Sequence, residues 1–449
     1  MLVAVCGAFL LDALDNIMVG IALPPIKDEF GMSADAAQWV VSAYVLGFGG
    51  LLLFGGRMAD QIGRRRVFLF GVAIFGLGSI IAGFAVNGAM AIGGRLVMGI
   101  GAAFTAPAAL SIITTSFPAG PARNRALGIY TACGAVGYTG GVIIGGALTQ
   151  INWRLIYFLP LLPVALAFLG GLLLVSKDAP IKRSQSYDVW GALTGTLGIL
   201  SLVYAIVRIP VQGLSSPAST TALVVAVVCI VAFIVIEKRV HDPLLDLKLL
   251  SSRNLVWSSI VAAAILGTYM SFQFIATLYL QSAQDWSPLQ MAFAFLPIGL
   301  LIMTIAPRMG WFIGKFGLNT MVVAGFVAYA LAYANFLRIG EDSSYLGVVL
   351  PSVVLIGIAF PFSFAPANVM AVSHVAEKHH GIAAGILQTG YQLGAAIVLA
   401  ITTATMGSDA ERFSLGQYRS GLWLLLSISI AIVLISLLRS ATRKQAVEV

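Results

Sequence analysis

Charge is what this chain has least of. Only 10% of its 449 residues are Asp, Glu, Lys or Arg, against about 25% in a typical soluble domain. By contrast 59% are hydrophobic, and the mean hydropathy is +0.96. That balance excludes a soluble domain and points to a polytopic helical membrane protein. The apolar runs are continuous rather than alternating, which excludes an outer-membrane barrel. Cysteine is nearly missing: Cys6, Cys133 and Cys229 fall in separate apolar runs and suit neither a disulfide framework nor a metal cluster. The only histidines are His241, His374, His379 and His380, and none forms an HExxH pattern, so no metal and no cofactor are expected. A GxxxxGK[ST] loop is absent too, which argues against direct ATP drive.

What is present is a series of long apolar runs. Fourteen are read as spans, at about 2–23, 37–56, 67–86, 90–115, 125–148, 155–175, 187–208, 219–237, 255–280, 289–311, 319–337, 345–373, 380–405 and 420–439. Each is near the ~20 residues that cross a bilayer. The first is not a cleavable leader: it lacks a basic n-region, carries two acids and ends at Pro24-Pro25 instead of a small-residue cleavage site. A start this close to span 1 fits a chain from which a few natural N-terminal residues are missing. With the N-terminus placed in the cytoplasm, nineteen Lys and Arg fall on that side, six on the other, and Arg95 inside a span. The asymmetry predicts a multi-pass protein of the cell inner (plasma) membrane, with both termini cytoplasmic and an even number of spans. It also explains the net charge of +8 by anchors facing anionic lipid, so no nucleic-acid partner is expected.

Two stretches break the apolar rhythm. Residues 176–186 (SKDAPIKRSQS) are polar, and residues 238–254 (KRVHDPLLDLKLLSSRN) alternate charge with leucine, as an interfacial helix does. The expected partition is a six-helix bundle in 1–176, two inserted spans with a cytoplasmic amphipathic linker in 177–254, and a second six-helix bundle in 255–449. A weak repeat pairs the outer blocks: Gly56 and Gly63 after span 2 match Gly310 and Gly317 after span 10 in spacing, while the acid Asp60 is replaced by Gly314. Such symmetry is expected of secondary transporters, whose ligand site lies near the midplane.

Asp12 and Asp15 stand near the middle of span 1, where a charge costs ~2.5–3.5 kcal/mol or more. They are three apart, so they share one helix face, with Asn16 beside them. Two carboxylates that close in a dry site cannot both ionise cheaply, which is what a proton carrier requires. Arg95 enters span 4 at a depth within ~6 Å of Asp15, reckoned at ~1.5 Å per residue. A buried arginine needs a partner, so an Arg95–Asp15 pair that protonation weakens is expected. The alternative is a purely structural ion pair.

Four stretches carry a family resemblance. Leu14-Asp15 through Leu23-Pro24 is similar to a first-span motif, Gly56 to Arg66 to the loop motif GxLaDrxGrr, Arg95 to Ala103 to a fourth-span motif, and Gly128, Gly137, Gly141, Gly145 and Gly146 to the spacing of a fifth-span antiporter motif. Together they resemble the major facilitator superfamily, in particular its fourteen-span drug:proton antiporter branch. Ile17, Gly20 and Val142 depart from its patterns, and Asp12 is an acid outside them.

The resemblance implies an all-α membrane fold of two six-helix bundles plus two inserted helices. It implies a non-enzymatic transporter exporting amphipathic small molecules, such as a drug, dye or antibiotic, in exchange for protons by alternating access. Asp15, Asp12 and Arg95 would couple protons. Gly56, Asp60, Gly63, Arg64 and Arg65 would form a cytoplasmic gate. Gly137, Gly141, Gly145 and Gly146 would form the antiporter-motif helix face, which packs closely and limits proton leak. Polar residues available to line a substrate cavity are Asn16, Trp39, Tyr44, Gln388, Tyr391 and Gln392, with Gln273, Tyr279 and Asn368 as further candidates. Spans 9 to 14 hold no acid in their cores, which favours a neutral or monocationic substrate over a dication. A monomer suffices for the transport path. Rival readings are a proton-coupled importer of the same fold, favoured by Val142, and a lipid-handling membrane protein.

Overall fold

The computed structural model describes residues 1–32, 34–118, 120–175, 189–212, 216–240, 252–286, 288–340, 343–373, 375–376, 379–406 and 414–445. Among them every regular element is helical. A helix is what an apolar chain adopts when no water can satisfy its N–H and C=O groups. Sixteen α-helices follow one another: α1 (Leu2–Glu29), α2 (Ala34–Ile62), α3 (Arg64–Gly83), α4 (Gly88–Ser116), α5 (Pro121–Ile151), α6 (Leu155–Phe158), α7 (Leu161–Leu174), α8 (Val189–Gln212), α9 (Pro217–Glu237), α10 (Arg253–Leu278), α11 (Pro288–Ile305), α12 (Met309–Phe316), α13 (Leu318–Phe336), α14 (Leu350–Val372), α15 (His380–Met406) and α16 (Leu415–Gln445).

Twelve helical stretches among the described residues are long and apolar enough to cross a membrane. Fourteen were expected. The other two expected spans fall on α5 and α8, whose 31 and 24 residues lie outside those twelve. Some side chains within both helices lie outside the described residues, so the twelve neither include nor exclude these two spans. The polar stretch 176–186 and the core of the expected interfacial helix, 241–251, lie outside the described residues.

Two boundaries differ from expectation. Pro24-Pro25 does not end the first helix, which continues to Glu29. A proline in a helix loses one hydrogen bond and crowds the carbonyl four residues back, and α1 carries two of them within its last two turns. The stretch from Gly56 to Arg66 is not a loop either. Residues 56–62 complete α2, Arg64 opens α3, and Gly63 alone separates them with φ +107°. Only glycine takes that backbone without strain. Gly317 repeats the device before α13 with φ +82°, so the repeat read in the sequence has a backbone counterpart.

The chain forms two compact units. The first comprises Met1–Pro118, Gly140–Val256 and Ala371–Thr389; the second comprises Ala119–Thr139, Trp257–Met370 and Gly390–Val449. In the first, α4 is the most enclosed helix, buried almost continuously from Gly101 to Thr114. Glycines bring its neighbours onto it: a Cβ on Gly47 of α2 would lie 2.7 Å from the Leu96 carbonyl oxygen, and one on Gly78 of α3 2.5 Å from the Met98 nitrogen. Without a hydrophobic drive between helices in lipid, such close backbone approach is what holds them together. The second unit has an aromatic core instead. Phe272 of α10 meets Phe336 of α13 at 4.9 Å between centroids, and Tyr279 meets Tyr418 of α16 at 5.7 Å. α9 presents Val224, Val227, Val228 and Val231 outward, a surface that suits lipid.

Candidate functional site

The two acids of α1 stand at the middle of a 28-residue helix and on one face of it. Asp15 is fully enclosed, at 0% exposure, and Arg95 of α4 at 1%. Arg95 Nη1 donates to Asp15 Oδ2, and Arg95 Nε donates to the Val40 carbonyl of α2 at 3.0 Å. The other carboxylate oxygen, Asp15 Oδ1, is buried without a hydrogen-bond partner. It is the carboxylate oxygen not engaged by Arg95. Tyr157 of α6 lies close enough to feel both charges.

Asp12 has a separate set of partners. Tyr44 Oη of α2 donates to Asp12 Oδ1. Asn16 Nδ2 donates to the Asp12 carbonyl at 2.7 Å and to Asp12 Oδ1 at 3.4 Å. The Tyr44 ring faces the Arg95 guanidinium at 4.4 Å, a cation–π contact. A Cβ on Gly99 of α4 would collide with the Tyr44 carbonyl oxygen, so α2 and α4 meet backbone to backbone at this level. Tyr44, expected to line a cavity, is thus 1% exposed and committed to the acid cluster.

The glycines of α5 close the same region. A Cβ on Gly141 would lie 3.0 Å from the Leu14 carbonyl oxygen and from Ile17 Cβ, and one on Gly145 3.0 Å from Met18 Cα. Both sit against the turn of α1 that carries Asp15. Gly137 is buried, whereas Gly146 faces open space. The side chain of Val142 lies outside the described residues.

At the end of α2, Asp60 accepts from the Gly381 nitrogen at 3.0 Å and from the Ile382 nitrogen at 2.9 Å, one on each carboxylate oxygen. These are the first free N–H groups of α15, where the helix dipole favours an anion. Gly56 makes the approach possible, since a Cβ there would lie 2.5 Å from the Gly381 carbonyl oxygen. Arg57 and Arg64 are near enough to add positive charge around Asp60. Arg65 turns elsewhere: its Nε donates to the Gly171 carbonyl at 3.1 Å and its Nη2 to that of Leu172, capping the last turn of α7.

Trp39 packs against Tyr204 of α8 at 5.5 Å. Gln388 is buried and Gln392 is half-buried on α15. Tyr391 stacks on Phe364 of α14 at 4.8 Å, and its hydroxyl accepts from Asn368 Nδ2 at 3.2 Å. Among the described residues no cluster of His, Cys, Asp and Glu could hold a metal.

Sequence reasoning missed three features. The Gly381 and Gly385 pair on α15 has the four-residue spacing already recognised in span 5 and was open to the same reading. The Tyr44–Asp12 bond left no signal, because a tyrosine in an apolar run does not say which way its hydroxyl points. At the other end of α1, Glu29 holds Arg154 through two bonds of 2.7 and 3.0 Å and accepts from Trp153 Nε1 at 2.6 Å.

Comparison with known proteins adds the following. The family profile described as Major Facilitator Superfamily matches residues 5–399. The puromycin resistance protein pur8 of Streptomyces alboniger is 37% identical over 418 residues, covering 91% of this chain and 82% of that protein. The cephamycin export protein CmcT of Amycolatopsis lactamdurans is 32% identical, covering 91% and 85%. Among solved structures, the human organic anion transporter MFSD10 (TETRAN) superposes with a TM-score of 0.69 at 16% identity, covering 97% of this chain and 98% of that one.

Proposed function

Because this chain belongs to the major facilitator superfamily, we propose that it exports amphipathic antibiotics or drugs in exchange for protons by alternating access. The family makes it a multi-pass membrane transporter of small molecules rather than an enzyme. Export of an antibiotic-like compound is supported by relatives at 37% and 32% identity whose names refer to puromycin resistance and cephamycin export. The observation that carries proton coupling is the Arg95–Asp15 pair with its unpartnered Asp15 Oδ1. A carboxylate held in a dry site by one arginine has two stable conditions, ionised and paired or protonated and released. Switching between them changes what α1 and α4 can do to each other.

The gate belongs to the same proposal. Asp60 on the N-terminus of α15, with Gly56 and Gly63 shaping the corner, would hold the cytoplasmic side closed. The glycine face of α5 against α1 would keep water from the acids. Gln388, Gln392 and Asn16 remain candidates for contact with the substrate. The proposal places the protein in the inner (plasma) membrane as a monomer with cytoplasmic termini. Two six-helix bundles, in 1–176 and 255–449, would rock about an insert in 177–254.

The test is transport of puromycin and a panel of lipophilic monocations in proteoliposomes with an imposed pH gradient. Accumulation in the acidic lumen, reversal when the gradient is reversed and loss with a protonophore are expected. Gradient-independent equilibration of every compound would refute the coupling.

A further inference from the structure

Asp12 and Asp15 touch no common group, yet the structure links them. Asp15 is paired with Arg95, and Asp12 accepts from Tyr44 and Asn16. The connection is the Tyr44 ring, whose hydroxyl serves Asp12 while its face lies 4.4 Å from the Arg95 guanidinium. Tyr44 and Arg95 cannot separate by backbone drift. Gly47 and Gly99 lock α2 onto α4, and Arg95 Nε is tied to Val40, one turn before Tyr44. Only side-chain reorientation is open to them.

From this geometry we infer that Tyr44 is a positioning residue that makes the two acids of α1 load protons cooperatively; the inference rests on the proton-coupled reading above. A proton from water adds to the Asp12 carboxylate, and the Tyr44 hydroxyl loses its anionic acceptor. The ring turns, and Arg95 loses the aromatic face that steadied it. Asp15 then takes a second proton on Oδ1, and Arg95 parts from Oδ2. Each step adds one proton to one carboxylate and transfers nothing else. The cluster passes from two anions and one cation to one cation alone.

The surroundings contain few other groups that could produce this behaviour. Asp12 is faced by Asp15 and Asn16 on its own helix, Tyr44 from α2 and Arg95 from α4. Tyr157 of α6 faces the Arg95–Asp15 end. α7 (LLPVALAFLGGLLL) carries no titratable side chain, and α5 meets α1 here through Gly141 and Gly145. Direct repulsion between two carboxylates has the opposite effect, spreading their loading into two separated steps. Cooperative loading therefore requires the Tyr44–Arg95 link, and the sign of the cooperativity decides the matter.

The experiment is proton uptake by the purified full-length protein, followed with a pH indicator from about pH 5 to 9. Wild type should take up two protons in one step with a Hill coefficient above 1. Asp12→Asn and Asp15→Asn should each remove one proton and leave a step with a coefficient of about 1. Tyr44→Phe keeps the ring over Arg95 and removes the hydroxyl, so it should retain both protons but split them into two shallow steps. Tyr44→Gln offers a donor without the face and should lose the steepness as well, which gives a second variant if the first folds poorly. Steep two-proton uptake in both Tyr44 variants would overturn the role of Tyr44 and leave proton coupling intact. Wild-type uptake that Asp15→Asn does not alter would overturn both.

Discussion

Asp15 uses one oxygen for Arg95 and leaves the other buried and unpartnered. That asymmetry makes a single residue carry a large share of the energy. Removing the arginine alone would strand an anion in a dry site, a loss of about 3–5 kcal/mol. Arg95→Ala should therefore lower the melting temperature markedly in detergent at neutral pH. The double variant Asp15→Asn with Arg95→Gln, which has no charge to strand, should regain most of it. Equal destabilisation of both would show that the loss comes from packing. The pair was legible in the sequence because an arginine buried in an apolar run needs an acid at matching depth, and only span 1 offers one. The Tyr44–Asp12 bond was not, since the same tyrosine is compatible with core, cavity or interface.

At the scale of elements, the close contacts run through glycine. Gly56 lets the end of α2 lie on the start of α15, and Asp60 then satisfies two N–H groups there. An anion at a helix N-terminus in so enclosed a position contributes up to about 2 kcal/mol, or a roughly 30-fold shift in the population of the state that contains the contact. Asp60→Asn should slow turnover by a comparable factor in substrate exchange across proteoliposomes, with the pH dependence of substrate binding unchanged. Gly63→Ala should destabilise by at least about 1 kcal/mol because φ +107° is strained for any residue with a Cβ; chemical denaturation measures it. The sequence marked both glycines but suggested a loop. The segment is helical because Arg57, Met58, Ala59 and Gln61 are good helix formers and a membrane boundary leaves the backbone few alternatives. The run through Pro24-Pro25 was hidden because paired prolines normally end a helix, whereas α1 continues to Glu29.

For the whole molecule, composition and the series of apolar runs disclosed a polytopic helical membrane protein more readily than any single motif. A chain with 10% charge, 59% hydrophobic residues and a series of apolar runs of membrane-crossing length has few architectures open to it. Twelve of the fourteen expected spans have a counterpart among the described residues, and parts of α5 and α8, where the other two fall, lie outside them. Reporter fusions address the topology directly. A fluorescent protein after Gln445 should light up in the cytoplasm, and alkaline phosphatase inserted after Arg154 should be active outside; the reverse pattern would invert the assignment of the gate. The lack of acids in the expected cores of spans 9 to 14 predicts that dications with well-separated charges are moved at least ~10-fold more slowly than monocations of similar size, as competition in the same vesicles would reveal.

The central claim concerns one carboxyl group, and one comparison reaches it. Wild type and Asp15→Asn, reconstituted side by side, are given the same inward-acid gradient and the same fluorescent monocation. The account predicts that wild type concentrates the dye while the asparagine variant binds it and only equilibrates it. Accumulation by Asp15→Asn at the wild-type level would contradict it.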